Sequence, residues 1–363
     1  MNGQVYNPHF IFWSRIINIL IWPFYFFCNL DRKSYSLNDE NINSILICQY
    51  HRIGDVFLIA PVLRSLKKRY PQAHIILLCC QSAEKLSRDL EFADEVIGVE
   101  VPWTNWNWSL IKWIKARSFA RHFRNRDIDI AIDFKGDLRN SWFLWHVRSK
   151  MSLGYTDTGG SFFYTHPQLS PTGVHQTERS LRLISHLGCD SIMLDEKEFN
   201  FKDQGAIVFH AGGNDPRRAW PENKWIKLAE ILSKNHEIAI VKTPETAILI
   251  ERMKEKEFRV EIFDGDLVQF KNWLRNQKML IGNDSMPGHL AAYLGIPAIS
   301  IFGSQDPKMT CPIGQWITII KPDESCEHKR DHWRLCQKCM GTIDVERVSG
   351  AVIKLFSRAQ VGE

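Results

Sequence analysis

Ile281-Gly-Asn-Asp-Ser-Met-Pro-Gly-His-Leu-Ala-Ala-Tyr-Leu-Gly-Ile-Pro-Ala-Ile-Ser-Ile-Phe-Gly303 reads as strand end, sharp turn, helix, loop and second strand. Met279, Leu280 and Ile281 form the short apolar run expected of a buried strand in a parallel sheet. Asn283, Asp284 and Ser285 are turn and cap residues. A helix is expected over His289 to Leu294, stopped by Gly295 with Pro297 two residues on. Ile296 to Phe302 then reads as the next strand. A helix entered from a strand end presents backbone amides to an anion, and doubly wound sheets bind ligands at such strand carboxyl ends. Taken alone, the stretch reads equally well as one more βαβ unit with an ordinary cap.

The alternation continues upstream. Strands are expected over residues 206–210, 237–241 and 259–263, and helices over 222–234, 245–256 and 268–276. Ala211-Gly-Gly-Asn-Asp-Pro-Arg-Arg-Ala-Trp-Pro-Glu222 is a glycine-rich loop with two arginines, and it precedes the first of these helices. This loop and the Asp284 loop both follow strands, so both can reach one ligand. The polar stretch from Cys189 to Gln204 reads as a boundary. Before it, strands are expected over 43–49, 74–80, 96–101 and 128–134, with helices over 57–69 and 175–187. Tyr50-His-Arg-Ile-Gly-Asp-Val56 links the first strand to its helix, without the GxGxxG dinucleotide fingerprint. Asp55 there suits either a helix cap or a general base facing a cleft. Asp133-Phe-Lys-Gly-Asp-Leu-Arg-Asn-Ser141 opens another helix.

The chain has 363 residues, 44% of them hydrophobic and 24% charged, which suits two globular domains. A net charge of +5 is too mild to indicate a nucleic-acid binder. Phe10 to Leu30 is apolar and aromatic with Arg15 its one charge, but Asn18 and Pro23 interrupt it. A spanning helix needs about 20 apolar residues. The segment, with Trp13, Trp22 and Tyr25, therefore reads as an interfacial anchor on a membrane or as a terminal helix packed on protein. Trp103, Trp106, Trp108 and Trp113, with Lys112, Lys115, Arg117, Arg121, Arg124 and Arg126, make a basic, aromatic-rich stretch. It suits anionic lipid or an anionic acceptor, or a solvated face over packed tryptophans. Nine cysteines with no secretory signal point to reduced thiols in a cytoplasmic protein.

Ile-Gly-Asp55 after its strand, Ala-Gly-Gly213 with Arg218-Ala-Trp-Pro-Glu222, and Gly-Asn-Asp-Ser285 with His-Leu-Ala-Ala292 and Leu-Gly-Ile-Pro297 stand in one order. Together they resemble the family-9 glycosyltransferases, the heptosyltransferase-like enzymes of lipopolysaccharide synthesis, over about residues 45–348. The resemblance implies an α/β GT-B fold, in which two Rossmann-like doubly wound domains face one another across a cleft. The expected division is an apolar extension over 1–38, an acceptor-binding domain over 39–195 and a nucleotide-sugar domain over 196–363. The family inverts the sugar on transfer from a nucleotide diphosphate-sugar and requires no metal or other cofactor. The donor expected here is ADP-heptose-like, and the acceptor an anionic glycolipid or glycan at the inner face of the cell membrane; the alternatives are a non-catalytic sugar-nucleotide-binding or assembly protein at the membrane and a family-9 enzyme that glycosylates protein.

Residue by residue, the resemblance makes Asp55, beside Gly54, the base on the acceptor hydroxyl. Arg218 stands where the family has a lysine touching the donor phosphates, and an arginine fork suits phosphate too. Gly212 and Gly213 match the loop beside it, and Asp284, Ser285, Met286 and His289 fall in the donor motif. The chain departs from the family at Met286-Pro287-Gly288, where the usual order is Gly-Pro-Met. A backbone that needs glycine's freedom after Ser285 would be strained by methionine. Cys326, Cys336 and Cys339 resemble the family's cysteine-bearing tail. With His328 and His332 they fit either zinc or thiols that pack the C-terminal segment.

Overall fold

The computed structural model describes residues 8–28, 35–36, 41–104, 109–192, 204–213, 215–324, 326 and 336–361. Arg32, Lys33, Trp106, Trp108, His328 and His332 lie outside the described residues. The chain forms two compact units, Met1–Met193 and Leu194–Glu363.

The first unit runs α1 (Pro8–Cys28), β1 (Ser44–Gln49), α2 (Ile53–Leu58), α3 (Ala60–Arg69), β2 (His74–Cys80), α4 (Gln81–Asp89), β3 (Glu95–Val99) and α5 (Leu110–His122). It continues with β4 (Ile130–Asp133), α6 (Leu138–Val147), β5 (Met151–Tyr155), β6 (His166–Gln168) and α7 (Gln176–Ser185). The second unit runs β7 (Ile207–His210), α8 (Glu222–Leu232), β8 (Ile238–Val241), α9 (Ala247–Glu255), β9 (Val260–Phe263), α10 (Leu267–Leu274) and β10 (Met279–Asn283). It closes with α11 (Met286–Leu294), β11 (Ala298–Ile301), α12 (Pro307–Thr310), β12 (Ile317–Ile320), α13 (Gln337–Gly341) and α14 (Val345–Val361).

Each unit holds one six-stranded sheet, in the order β3-β2-β1-β4-β5-β6 and β12-β11-β10-β7-β8-β9. Every pairing is parallel. Counted within its own unit, each sheet has the same doubly wound order, 3-2-1-4-5-6. The winding reverses between β1 and β4 in one unit and between β7 and β10 in the other, and crevices open at such reversals. Ile45, Leu46 and Ile47 of β1 and Met279, Leu280 and Ile281 of β10 are fully buried. Helices on both faces leave a central parallel strand no polar side, which is why these strands read as continuous apolar runs.

Some boundaries differ from the sequence reading. The helix expected over 57–69 begins at Ile53 and breaks at Ile59, where α2 gives way to α3. Pro61 near the start of α3 has no N–H to give back to the preceding turn, which ends the first helix. Gly54 and Asp55 therefore lie in the first helical turn instead of in a loop. Strands β5, β6 and β12 were not anticipated. The first two carry Gly154 and Pro167, which break a strand pattern, and β6 tolerates its proline because it is an edge strand.

Helix α1 packs on the first unit along one stripe, Ile11, Ser14, Asn18, Ile21 and Tyr25, spaced three and four residues apart. Asn18, which reads in sequence as a break in an apolar segment, is a docking residue: its Oδ1 accepts from Gly160 N at 2.6 Å. Tyr25 lies edge-on to Trp145 and Phe163, with centroids 4.8 and 4.6 Å away. The opposite face leaves Trp13, Leu20 and Phe24 60–72% exposed. Among the described residues no helix is long and apolar enough to cross a membrane.

Candidate active site

In the first unit the reversal of winding brings the loop after β1 beside the loop after β4. Asp55 is the third residue of α2, and the helix is preceded by Arg52, whose side chain makes no capping bond. Asp55 does not cap; its Oδ2 accepts from Lys135 Nζ at 2.8 Å, with both side chains largely buried. Burial alone pushes the carboxyl up, but the Lys135 charge and hydrogen bond outweigh it and hold Asp55 below the usual carboxylate range. Asp55 is thus ionised at neutral pH. His51 stacks on Tyr50, and burial followed by the Lys135 charge pushes its imidazole down to about 4, so it is neutral. Its Nδ1 is buried with no hydrogen-bond partner among the described residues.

Asp133, at the end of β4, sets the position of Lys135. It is fully buried and accepts from the amides of Lys135 and Gly136 at 3.1 Å each. It also accepts from Asn140 Nδ2 at 2.9 Å and Tyr164 OH at 2.8 Å. Arg179 closes the loop from α7 by donating to the carbonyl of Phe134. The lysine is therefore delivered to Asp55 by a loop whose backbone is pinned at both ends.

In the second unit the corresponding loops follow β7 and β10. Arg218 Nη1 donates to Asp284 Oδ2 at 3.0 Å and meets the Asp284 carbonyl at 3.5 Å. Its Nε and Nη2 have no acceptor among the described residues and stay available to a further anion. Asn283 joins the two loops. Its Oδ1 accepts from Trp220 N at 3.0 Å, and its Nδ2 donates to Ala211 O at 2.8 Å. Trp220 is buried against Trp225, and its indole donates to Ile343 O at 3.0 Å. Gly212 lies against Thr243, whereas the space beside Gly213 is open. Ser285 precedes α11; Pro287 has no N–H and Gly288 N donates to Ser285 O at 3.2 Å, so the amides this helix start can offer an anion are those of Ser285 and Met286. His289 is buried in the second turn of α11.

The Met286 departure carries no backbone strain. Met286 is the first residue of α11 and is absent from the positive-φ positions. Glycine is needed instead at 288, where a Cβ would come within 2.6 Å of Ser300 Oγ. Gly295 ends the helix at φ +72, as its place in the sequence suggests.

Asp55 is thus placed with Lys135 in one unit, and Arg218, Gly212, Gly213, Asp284, Ser285, Met286 and His289 surround the β7/β10 reversal in the other. Lys135, Asp133 and Asn283 escaped the sequence reading as site residues. The signal for the first two was the run Asp133-Phe-Lys135 directly after an apolar strand.

A family model described as glycosyltransferase family 9 (heptosyltransferase) matches residues 116–339. The chain is 22% identical over 303 residues to lipopolysaccharide heptosyltransferase 1 of Pseudomonas aeruginosa, covering 78% of this chain and 84% of that protein. It is 23% identical over 291 residues to lipopolysaccharide heptosyltransferase 3 of Escherichia coli, covering 70% and 81%. Among solved structures, E. coli heptosyltransferase WaaC with ADP superposes with a TM-score of 0.70 at 18% identity, covering 86% of this chain and 99% of that one. The shared architecture is the GT-B fold.

Proposed function

The chain belongs to glycosyltransferase family 9, and from that premise we propose an inverting transfer of heptose or a related sugar. The donor is a nucleotide diphosphate-sugar of the ADP-heptose kind, and the acceptor a hydroxyl of the lipopolysaccharide core or another anionic surface glycan. One observation carries the reading. Each switch point holds a buried or half-buried ion pair, and the two have opposite tasks. At β1/β4 a lysine keeps a carboxylate ionised and ready to accept a proton. At β7/β10 an arginine and a helix start stand ready for an anion.

In this reading Asp55 takes the proton of the acceptor hydroxyl as its oxygen attacks the anomeric carbon from the face opposite the diphosphate. Pairing with Lys135 makes Asp55 a weak base, so proton transfer runs late, when bonding to carbon has made the hydroxyl acidic. Arg218 and the amides at the start of α11 take up the charge that develops on the leaving diphosphate. No metal is required for this step. The relative WaaC is described with ADP and with ADP-2-deoxy-2-fluoro heptose, which supports an adenosine diphosphate donor. The test is to offer a panel of nucleotide diphosphate-sugars with lipopolysaccharide-core acceptors and measure the nucleoside diphosphate released. Acceptor-dependent release with ADP-heptose is expected. Binding of that donor without release under any acceptor would turn the reading to a non-catalytic nucleotide-sugar binder.

We further propose that the first unit rests peripherally on the inner face of the cell membrane through α1. The exposed face of α1 is apolar, and α5 adds Leu110, Ile111 and Ile114 at 59–77% exposure together with exposed Lys115, Arg117 and Arg121. Each large side chain buried in the interface contributes about 1.5–3 kcal/mol, and each basic residue near an anionic surface about 1 kcal/mol. Trp13→Ser, Leu20→Ser and Phe24→Ser together spare the docked stripe. The triple variant is expected to melt like the parent yet to float poorly with anionic liposomes. Equal flotation of parent and variant would place the membrane contact elsewhere.

A further inference from the structure

The three cysteines of the C-terminal segment come together in the fold. The Sγ atoms of Cys326, Cys336 and Cys339 all lie within 4.8 Å of one another. Cys336 and Cys339 are buried and Cys326 is half-buried. We propose that these three thiolates bind a structural divalent cation of thiophilic character, zinc by preference, which fastens the cysteine turn beside the donor-binding loop.

The geometry suits a tetrahedral metal. Zinc–sulfur bonds of about 2.3 Å set sulfur–sulfur distances near about 3.8 Å, so the three thiols need to close by about 1 Å or less, within the reach of side-chain rotation. Three thiolates select zinc or iron over hard cations such as magnesium. A water as fourth donor completes the tetrahedron.

The surroundings favour metal over plain thiol packing. Cys336 and Cys339 flank the start of α13 with CxxC spacing, which lets one short turn offer two sulfurs to one point.

The turn is also tied to the donor side of its unit. Cys336 N donates to Ser304 Oγ at 2.8 Å, and Lys224 Nζ donates to Gly341 O at 2.7 Å. Helix α13 packs against the turn Pro216–Arg218. A metal here acts on the phosphate-binding arginine through its support and touches no substrate.

The proposal is tested by elemental analysis of the full-length protein, purified without chelator, together with cobalt titration of the metal-stripped protein. About one zinc per chain is expected. Cobalt should give intense thiolate-to-metal charge-transfer bands and the visible bands of a tetrahedral centre. Iron in place of zinc at the same ratio upholds the site and names its metal. Cys336→Ser and Cys339→Ser should each lose the metal and the cobalt spectrum, whereas Cys80→Ser should keep both. If the serine variants fail to fold, the cobalt spectrum of the parent still decides. Absence of bound metal and of any cobalt charge-transfer band overturns the proposal. It does so whether thiol titration in denaturant then finds all nine cysteines free or two fewer because a disulfide has formed. All these readouts are independent of sugar transfer, so failure of this site and failure of the proposed activity are separable.

Discussion

Asp55→Asn is expected to lower turnover by about 10²–10⁴-fold, the usual contribution of a positioned general base, while donor affinity stays near that of the parent. Asparagine keeps the size and one hydrogen bond to Lys135 but takes no proton at neutral pH. Steady-state kinetics with calorimetry of nucleoside diphosphate binding separates the two effects. Retained turnover in the asparagine variant would remove Asp55 from the mechanism.

The ion pair adds a pH signature to the same experiment. In the parent, Lys135 holds the Asp55 carboxyl low, so the acid limb of kcat/KM should fall below the ordinary carboxylate value of about 3.9. Lys135→Met removes the cation and leaves the burial, so the Asp55 pKa must rise and the limb must move toward neutral pH. The stability contribution of the pair has the matching sign. The folded pKa is depressed, so the stabilisation is present above the unfolded value and is lost as the pH falls through the folded one. An unmoved acid limb in Lys135→Met would mean that another group titrates.

Arg218→Ala is expected to raise the Kd of nucleoside diphosphate by about 10–100-fold, equivalent to the loss of a charge-assisted contact worth about 1.5–3 kcal/mol. Binding to the parent should weaken with salt, and binding to the variant should do so less. The substitution also removes the ion pair that Arg218 makes with the buried Asp284 carboxylate, so the melting temperature should fall as well. Arg218→Lys resolves the two effects. It restores the charge beside Asp284 and hence most of the stability, but it lacks the two-pronged fork and recovers only part of the affinity. Unchanged nucleotide affinity in the alanine variant, measured by calorimetry, would show that the arginine serves Asp284 alone.

Most strands could be read from sequence because central parallel strands are buried on both faces and leave uninterrupted apolar runs, as at Ile45–Ile47 and Met279–Ile281. The motif loops were legible because glycine, proline and cap residues punctuate those runs, and Gly295 ends its helix for a reason local to its own backbone. The edge strand β6, His-Pro-Gln, carries a weak signal, since a strand paired on one side only tolerates a proline.

What the tertiary structure decided is which residues meet. Asp55 and Lys135 stand 80 positions apart, and Arg218 and Asp284 stand 66 apart. Only the reversal of winding puts the strands before them side by side, and local propensity carries no record of that order. The environment of each charge was hidden for the same reason. Asp55 looks like a helix cap in sequence and becomes an ionised, lysine-held carboxylate through contacts made late in the chain. Asn18 looks like a flaw in an apolar helix, yet it lies on the stripe that docks it, because Gly160 offers an amide there. The three tail cysteines could be counted from the sequence, but that their sulfurs share one point depended on how α13 packs onto its unit.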